Sequence, residues 1–423
     1  MVSRREFLSA GAAFGALAVV GMPAAVRAAT GAAKGVTVIT QVFGEGQKLV
    51  AVAIGYDQVI DNGRLDAASF AVEGRTVTRA YANTGAALAP EGVNGRFVIL
   101  ELSLEDETAA LYATAGREVI RREAKAAVMQ TGPVATVDGG VVAAGSEAIP
   151  QTAIVNPIVD DFLQLEYSDA LTGDSIGYNL FIPKNYDPAK SYPLVLFMHD
   201  AGATSNIVTT TLVQGLGAIC WASPEDQAKR EAFVLAPQFA SQVVNDQSEA
   251  TSLLDTTINL VKKIAGDYSI DIKRLYNTGQ SGGAMMSIAM NIKYPDFFAA
   301  TYLVAGQWDP TKVAPLAGDK MWVVVSEGDA KAYPTENAMM AVYEKEGAKV
   351  SRAVWEGTYA PDAFTAAFDK VDAEGSAINY IALKKGTVVP PGQTDDPGAN
   401  HVNTWRIAYT IDDIRDWIFR QSR

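Results

Sequence analysis

Between about Gly35 and Gly132 the chain alternates apolar and polar residues at period two. Val50, Val52, Ile54 and Tyr56 share one face of one run, and Val98, Leu100 and Leu102 share one face of another. Asn62-Gly63, Gly74 and Asn94-Gly95 punctuate these runs as turns do. The pattern predicts a small antiparallel β-sandwich over residues 35–132. Residues 133–159 are rich in small side chains and are expected to form a linker.

From residue 160 to 423 the texture changes. Short, nearly continuous apolar runs alternate with helical segments: Asp161–Tyr167, Tyr178–Pro183, Pro193–Met198, Phe233–Pro237, Leu275–Gly279, Tyr302–Ala305, Met321–Ser326, Val350–Trp355 and Ile378–Leu383. Strands of this kind belong to a sheet buried on both faces, so a mostly parallel, doubly wound α/β domain is predicted. Leu254, Ile258, Val261 and Ala265 form a stripe at helical spacing and mark one covering helix.

Residues 1–28 read as a targeting segment. Arg4-Arg5 precedes a weakly apolar run from Ala10 to Val20 and a small-residue site at Val26-Arg27-Ala28, the pattern of a twin-arginine export signal. The processed chain is expected to work in the periplasm or outside the cell, without stable membrane insertion. Removing three arginines and one glutamate from 35 basic and 48 acidic residues leaves 32 and 47, a formal charge of −15. Such a surface repels polyanions, and no nucleic-acid partner is expected. Cys220 is the only cysteine, so no intramolecular disulfide forms. With one cysteine and two histidines, a zinc site built from these ligands is not expected either. Any imidazole base must be His199 or His401.

Gly279-Gln280-Ser281-Gly282-Gly283 follows a predicted strand and precedes the helix-like run Ala284 to Ile292. A Gly-x-Ser-x-Gly motif in that context is the nucleophile elbow of an α/β-hydrolase, and Ser281 is its candidate nucleophile. His199 ends the run Pro193–Met198, where such folds place an oxyanion-hole loop. The usual form is His-Gly-Gly-Gly or His-Gly-x-Gly, but here Asp200 holds the second position. His199 is therefore read as a structural imidazole. Gly282, with Asp200 or Ala201, supplies the oxyanion N–H donors. His401 follows the last strand, on a loop before a C-terminal helix near Tyr409, and is the candidate base. Ser326-Glu327-Gly328-Asp329 closes the run from Met321. Asp329 is the candidate acid there, and Glu327 is its competitor. The order Ser, Asp, His is that of α/β-hydrolases. Gln280 and Trp308 are candidates for the substrate pocket, with core packing an equal reading for Trp308. Met285, Met286 and Met290 read as core filling.

Further motifs extend the pattern: Trp221-Ala222-Ser223-Pro224-Glu225-Asp226-Gln227, Val234–Gln238, Val304–Asp309, and His401-Val402-Asn403-Thr404-Trp405. Together they resemble secreted bacterial esterases with an immunoglobulin-like N-terminal domain, related to polyhydroxyalkanoate-depolymerase-like and prolyl-oligopeptidase-like hydrolases. The resemblance implies an immunoglobulin-like sandwich before an α/β-hydrolase domain, and carboxylesterase activity without a cofactor. The substrate would be a small-molecule or polymeric ester. A peptidase or polyester depolymerase with the same triad stays open, as does a non-catalytic surface-binding protein. The sandwich could bind substrate, join copies into a homo-oligomer, or shield the rim of the site.

Overall fold

The computed structural model describes residues 32–115 and 118–423, so the export segment read at 1–28 lies outside the described residues. The larger unit is built on one nine-stranded sheet. Its strands are β1 (Phe162–Ser168), β2 (Ser175–Phe181), β3 (Tyr192–Met198), β4 (Phe233–Gln238), β5 (Ile270–Gln280), β6 (Ala300–Val304), β7 (Met321–Ser326), β8 (Val350–Trp355) and β9 (Ile378–Leu383). The spatial order is β1-β2-β4-β3-β5-β6-β7-β9-β8. β1 and β2 pair antiparallel, as do β2 and β4, while every pair from β4 to β8 is parallel. This is the α/β-hydrolase architecture that the apolar runs predict.

Burial explains why those runs are continuous. Every residue of β3 and of β7 is buried, because helices cover both faces of the sheet and leave no solvent side for polar residues. The helix Leu253–Asp267 turns Leu254, Ile258, Val261 and Ile264 onto the sheet. Because β3 lies between β4 and β5, the chain reverses its direction of travel across the sheet there. The carboxyl ends of strands at such a switch open a crevice that connecting loops can line.

The N-terminal unit is the expected sandwich. One sheet runs in the order Gln151–Val155, Gly35–Phe43, Gly46–Ile60, Gly95–Leu102, Val77–Asn83. Val36, Val52, Ile54, Val98 and Leu100 form its inner face, packed against Phe70, Val128 and Val142 from shorter strand pairs. Two details differ from expectation. Val50 does not share the face of Val52 and Ile54 but packs with Ile39, Ala53 and Ile99 on the other side. The register opposite Ile39 and Thr40 jumps from Ala51 to Leu49, leaving Val50 as the extra residue of a bulge, which reverses its facing. Nor are residues 133–159 a free linker. Val134–Ala135 pairs with Val141–Val142, and Gln151–Val155 lies parallel to Gly35–Phe43. The backbone groups along that strand need partners, and this segment supplies them.

The two units share core. Val42 and Tyr112 of the sandwich belong to the same apolar cluster as Phe197, Trp221 and Tyr302 of the hydrolase unit. Asn156 pins the junction: its Oδ1 accepts from the buried Thr40 hydroxyl at 2.7 Å and the buried Gln47 amide at 2.9 Å. Among the described residues no helix is long and apolar enough to cross a membrane.

Asn156→Ala strands the buried Thr40 hydroxyl and removes one of the two bonds of the Gln47 amide, which also donates to Thr40 at 2.9 Å. It is expected to lower stability by about 2 kcal/mol, read as a reduced urea midpoint with unchanged slope. An unchanged midpoint would show that the junction does not depend on this residue.

Candidate active site

Ser281 sits where β5 ends and the helix Gly282–Lys293 begins, with φ 51° and ψ −118°. A non-glycine residue in this region carries about 1–3 kcal/mol of strain, so its surroundings must hold it there. The Ser281 N–H donates to the Val304 carbonyl at 2.9 Å. A Cβ on Gly283 would lie 1.9 Å from the Met198 carbonyl oxygen, and one on Gly279 would lie 2.3 Å from the Gly283 carbonyl carbon. Both glycines are therefore sterically required, which is why the motif has its spacing.

The Ser281 hydroxyl lies 2.8 Å from His401 Nε2, and His401 Nδ1 lies 2.5 Å from Asp329 Oδ2. Asp329 is buried at the end of β7. Its other oxygen accepts the N–H groups of Lys331 and Ala332, each at 2.9 Å, and so caps the helix Ala332–Lys345. Burial pushes this carboxyl's pKa up. The His401 bond and charge and the two N–H donors outweigh it and hold the group below its ordinary value. Glu327 instead accepts the Lys385 N–H at 3.0 Å and takes no part in this chain of bonds.

His401 is not on a loop. It lies in the helix Pro397–Ala408, which starts with Asp396 accepting the Ala399 N–H at 2.8 Å and with Pro397 in its first turn. An Asp-Pro pair ahead of a helical run is a start signal legible in sequence. His401 Nε2 is thus aimed by a rigid element, with the Trp405 ring edge-on 5.1 Å away.

His199 has a different role. It is 2% exposed. Its Nδ1–H donates to the Asp200 carbonyl at 2.7 Å, and its Nε2 accepts the Phe239 N–H at 3.0 Å. Burial lowers its pKa against the opposing pull of the Asp200 carbonyl and charge, so a neutral ring ties two loops together. Asp200 turns its carboxylate inward: one oxygen takes the Gly202 N–H at 2.7 Å and the other the Gln280 amide at 3.0 Å. A Cβ on Gly282 would come within 3.2 Å of the Ala201 nitrogen. The N–H groups of Gly282 and Ala201 are therefore neighbours, and neither has an acceptor among the described residues.

A cleft of about 880 Å³ opens over Ser281 and His401. Met285 and Gln307 lie along it, with Gln242 and the segment Val244–Gln247 on one side. Glu45 and Tyr112–Thr114 of the sandwich reach it too, so both units form its walls. Two expectations need correction. Gln280 is 1% exposed and lies beneath the Asp200 turn rather than in the cleft. Trp308 packs in the core with Met286 and Leu316 and does not line the cleft. Met285 fills the core as expected, 6% exposed, and also borders the cleft. No sequence signal marks the sandwich residues, since only the docking of the two units brings them here.

The sheet order and the elbow define the class, an α/β-hydrolase. Residues 35–143 match the family described as "Esterase Ig-like N-terminal domain", and residues 168–371 match the one described as "Putative esterase". A solved structure of a thermostable esterase superposes with a TM-score of 0.79 at 28% identity, covering 92% of this chain and all of that one. A probable feruloyl esterase C of Aspergillus terreus is 32% identical over 130 residues, which is 30% of this chain and 46% of that protein. Feruloyl esterase B of Talaromyces stipitatus is 27% identical over 141 residues, 31% of this chain and 36% of that protein. The chain thus aligns with less than half the length of either fungal relative. It belongs with the esterases that carry an immunoglobulin-like N-terminal domain.

The depressed Asp329 carboxyl makes a pH-dependent contribution to stability. A group whose folded pKa lies below its unfolded value stabilises the fold above the ordinary value of 3.8, and that stability is lost as pH falls through the folded value. The melting temperature of the wild type should therefore exceed that of Asp329→Asn at neutral pH, and the gap should close in strong acid. A gap independent of pH would remove the carboxylate as its source.

Proposed function

We propose that this chain hydrolyses carboxylic esters through an acyl-enzyme on Ser281. The observation that carries the reading is one imidazole bridging a hydroxyl at 2.8 Å and a buried carboxylate at 2.5 Å. His401 Nε2 takes the Ser281 proton as Oγ attacks the ester carbonyl, while Asp329 holds Nδ1–H and stabilises the imidazolium. The tetrahedral oxyanion accepts from the N–H groups of Gly282 and Ala201. His401 then passes the proton to the departing alcohol oxygen. Water, deprotonated by the same imidazole, attacks the acyl carbon and frees the acid and Ser281. The cleft's many amide side chains suit a polar substrate, and the names of the fungal relatives make methyl ferulate a member of the test panel.

Hydrolysis of a 4-nitrophenyl ester series and methyl ferulate by residues 29–423 tests this. Ser281→Ala should lose on the order of 10⁶-fold in kcat, and Asp329→Asn about 10⁴-fold. Equal rates in wild type and Ser281→Ala would overturn the assignment.

We also propose export by the twin-arginine route, on the strength of Arg4-Arg5 and the cleavage site near Ala28. Replacing both arginines by lysine should keep the protein in the cytoplasmic fraction. Unchanged export would refute the route.

A further inference from the structure

The charged side chains along the cleft are engaged, with one exception. Glu45 pairs with Lys48 at 2.8 Å, and Asp246 with Lys331 at 2.5 Å. Asp200 is bound by Gln280 and Gly202, and Asp329 by His401. Arg406 lines the same cleft. Its Nε is buried with no hydrogen-bond partner, and its guanidinium makes no hydrogen bond or ion pair among the described residues. Burial lowers its pKa and the charge of Glu45 opposes that, but a guanidinium stays a cation at any working pH.

A buried N–H without an acceptor costs free energy, and so does a half-desolvated cation without a counter-charge. Here Glu45 is near enough to be felt but is held by Lys48. The stem of Arg406 is fixed as well: a Cβ on Gly44, in the sandwich turn, would lie 2.9 Å from the Arg406 Cβ. The sandwich therefore seats the arginine, and the open end of its fork faces the substrate space.

The helix geometry sets the distance to the reaction. His401, Val402, Trp405 and Arg406 share the cleft face of the helix Pro397–Ala408. Arg406 lies five positions after the base, about 7.5 Å along the axis. That is comparable to the span of a six-carbon dicarboxylate.

We infer that Arg406 is a specificity residue that binds a carboxylate on the substrate, so that the preferred substrates are esters bearing an anionic group several bonds from the scissile carbonyl. A guanidinium takes a carboxylate bidentately, in a planar fork, which would neutralise the charge that no residue pairs. On a chain of net charge −13, an unpaired cation in the cleft also supplies the local attraction that the surface as a whole denies to an anion. This rests on the esterase reading and names its substrate class.

The wild-type chain is assayed by pH-stat on monoethyl adipate beside ethyl hexanoate, and on 4-acetoxybutanoate beside butyl acetate. One anionic ester should be preferred over its neutral counterpart, and the pair that responds assigns the carboxylate to the acyl or the alcohol side. Arg406→Gln should reduce that preference about tenfold or more, as loss of a charge-assisted pair does, through KM rather than kcat. Arg406→Lys should restore part of it. A wild type without preference for either anion, or an Arg406→Gln effect equal on both members of a pair, overturns the inference. If no ester is turned over, the esterase reading fails by itself, and binding decides this one. Adipate binding to Ser281→Ala by calorimetry should weaken about tenfold when Arg406→Gln is added. No binding, or binding indifferent to Arg406, refutes it.

Discussion

A serine held at φ 51° is the constraint on which the rest of the site depends. The turn that presents it survives only because backbone, not side chain, closes around it. The start of the helix Gly282–Lys293 approaches the end of β3 so closely that the Met198 carbonyl occupies the space of a Gly283 side chain. That contact ties the nucleophile to the strand whose exit loop carries His199, Asp200 and Ala201. The hydroxyl and the Ala201 N–H are thus positioned by one piece of packing. The base and the acid then have to reach a fixed point, and each does so from a rigid element: a helix for His401, and the capped end of β7 for Asp329.

Asp200 takes the place that glycine holds in related oxyanion loops, and its surroundings explain how the exchange is accommodated. The carboxylate folds back to cap the short turn Ala201–Ala203 and binds the Gln280 amide beneath it. The loop gains a side-chain brace from one side and the His199 bridge to Phe239 from the other. Neither oxygen is left to face the developing oxyanion, which a free carboxylate would repel. Asp200 has φ −71°, open to any residue, so the exchange carries no backbone strain, and Ala201 is left as the N–H beside Gly282.

What sequence could supply follows a clear division. The strands of the large sheet are legible because burial on both faces leaves a continuous apolar signature. Ser281 and Asp329 are legible because strand ends fix where turns must carry chemistry, and His401 because the chain has only two histidines. Local patterns fail where a tertiary contact decides. Val50 follows period two until a bulge reverses it. Residues 133–159 look flexible by composition, yet an open strand edge recruits part of them. Trp308 leaves the cleft for the core because its depth depends on how the helix Gly282–Lys293 and the loop after β6 meet. The helical setting of His401 was available from Asp396-Pro397, a start signal that outranks the reading of the segment as loop.

The sandwich is the least legible part and changes the meaning of the cleft most. An α/β-hydrolase sheet alone would leave the face of the helix Pro397–Ala408 open to water beyond His401. Docking of the sandwich turn at Gly44 and of Tyr112–Thr114 converts that face into a wall and partly desolvates Arg406. Desolvation sharpens electrostatics: a guanidinium in bulk water discriminates weakly, whereas a partly desolvated and unpaired one strongly favours an anionic ligand. The immunoglobulin-like unit therefore acts on chemistry from outside the triad. It sets the dielectric and the charge along the substrate's path and leaves bond breaking to the sheet.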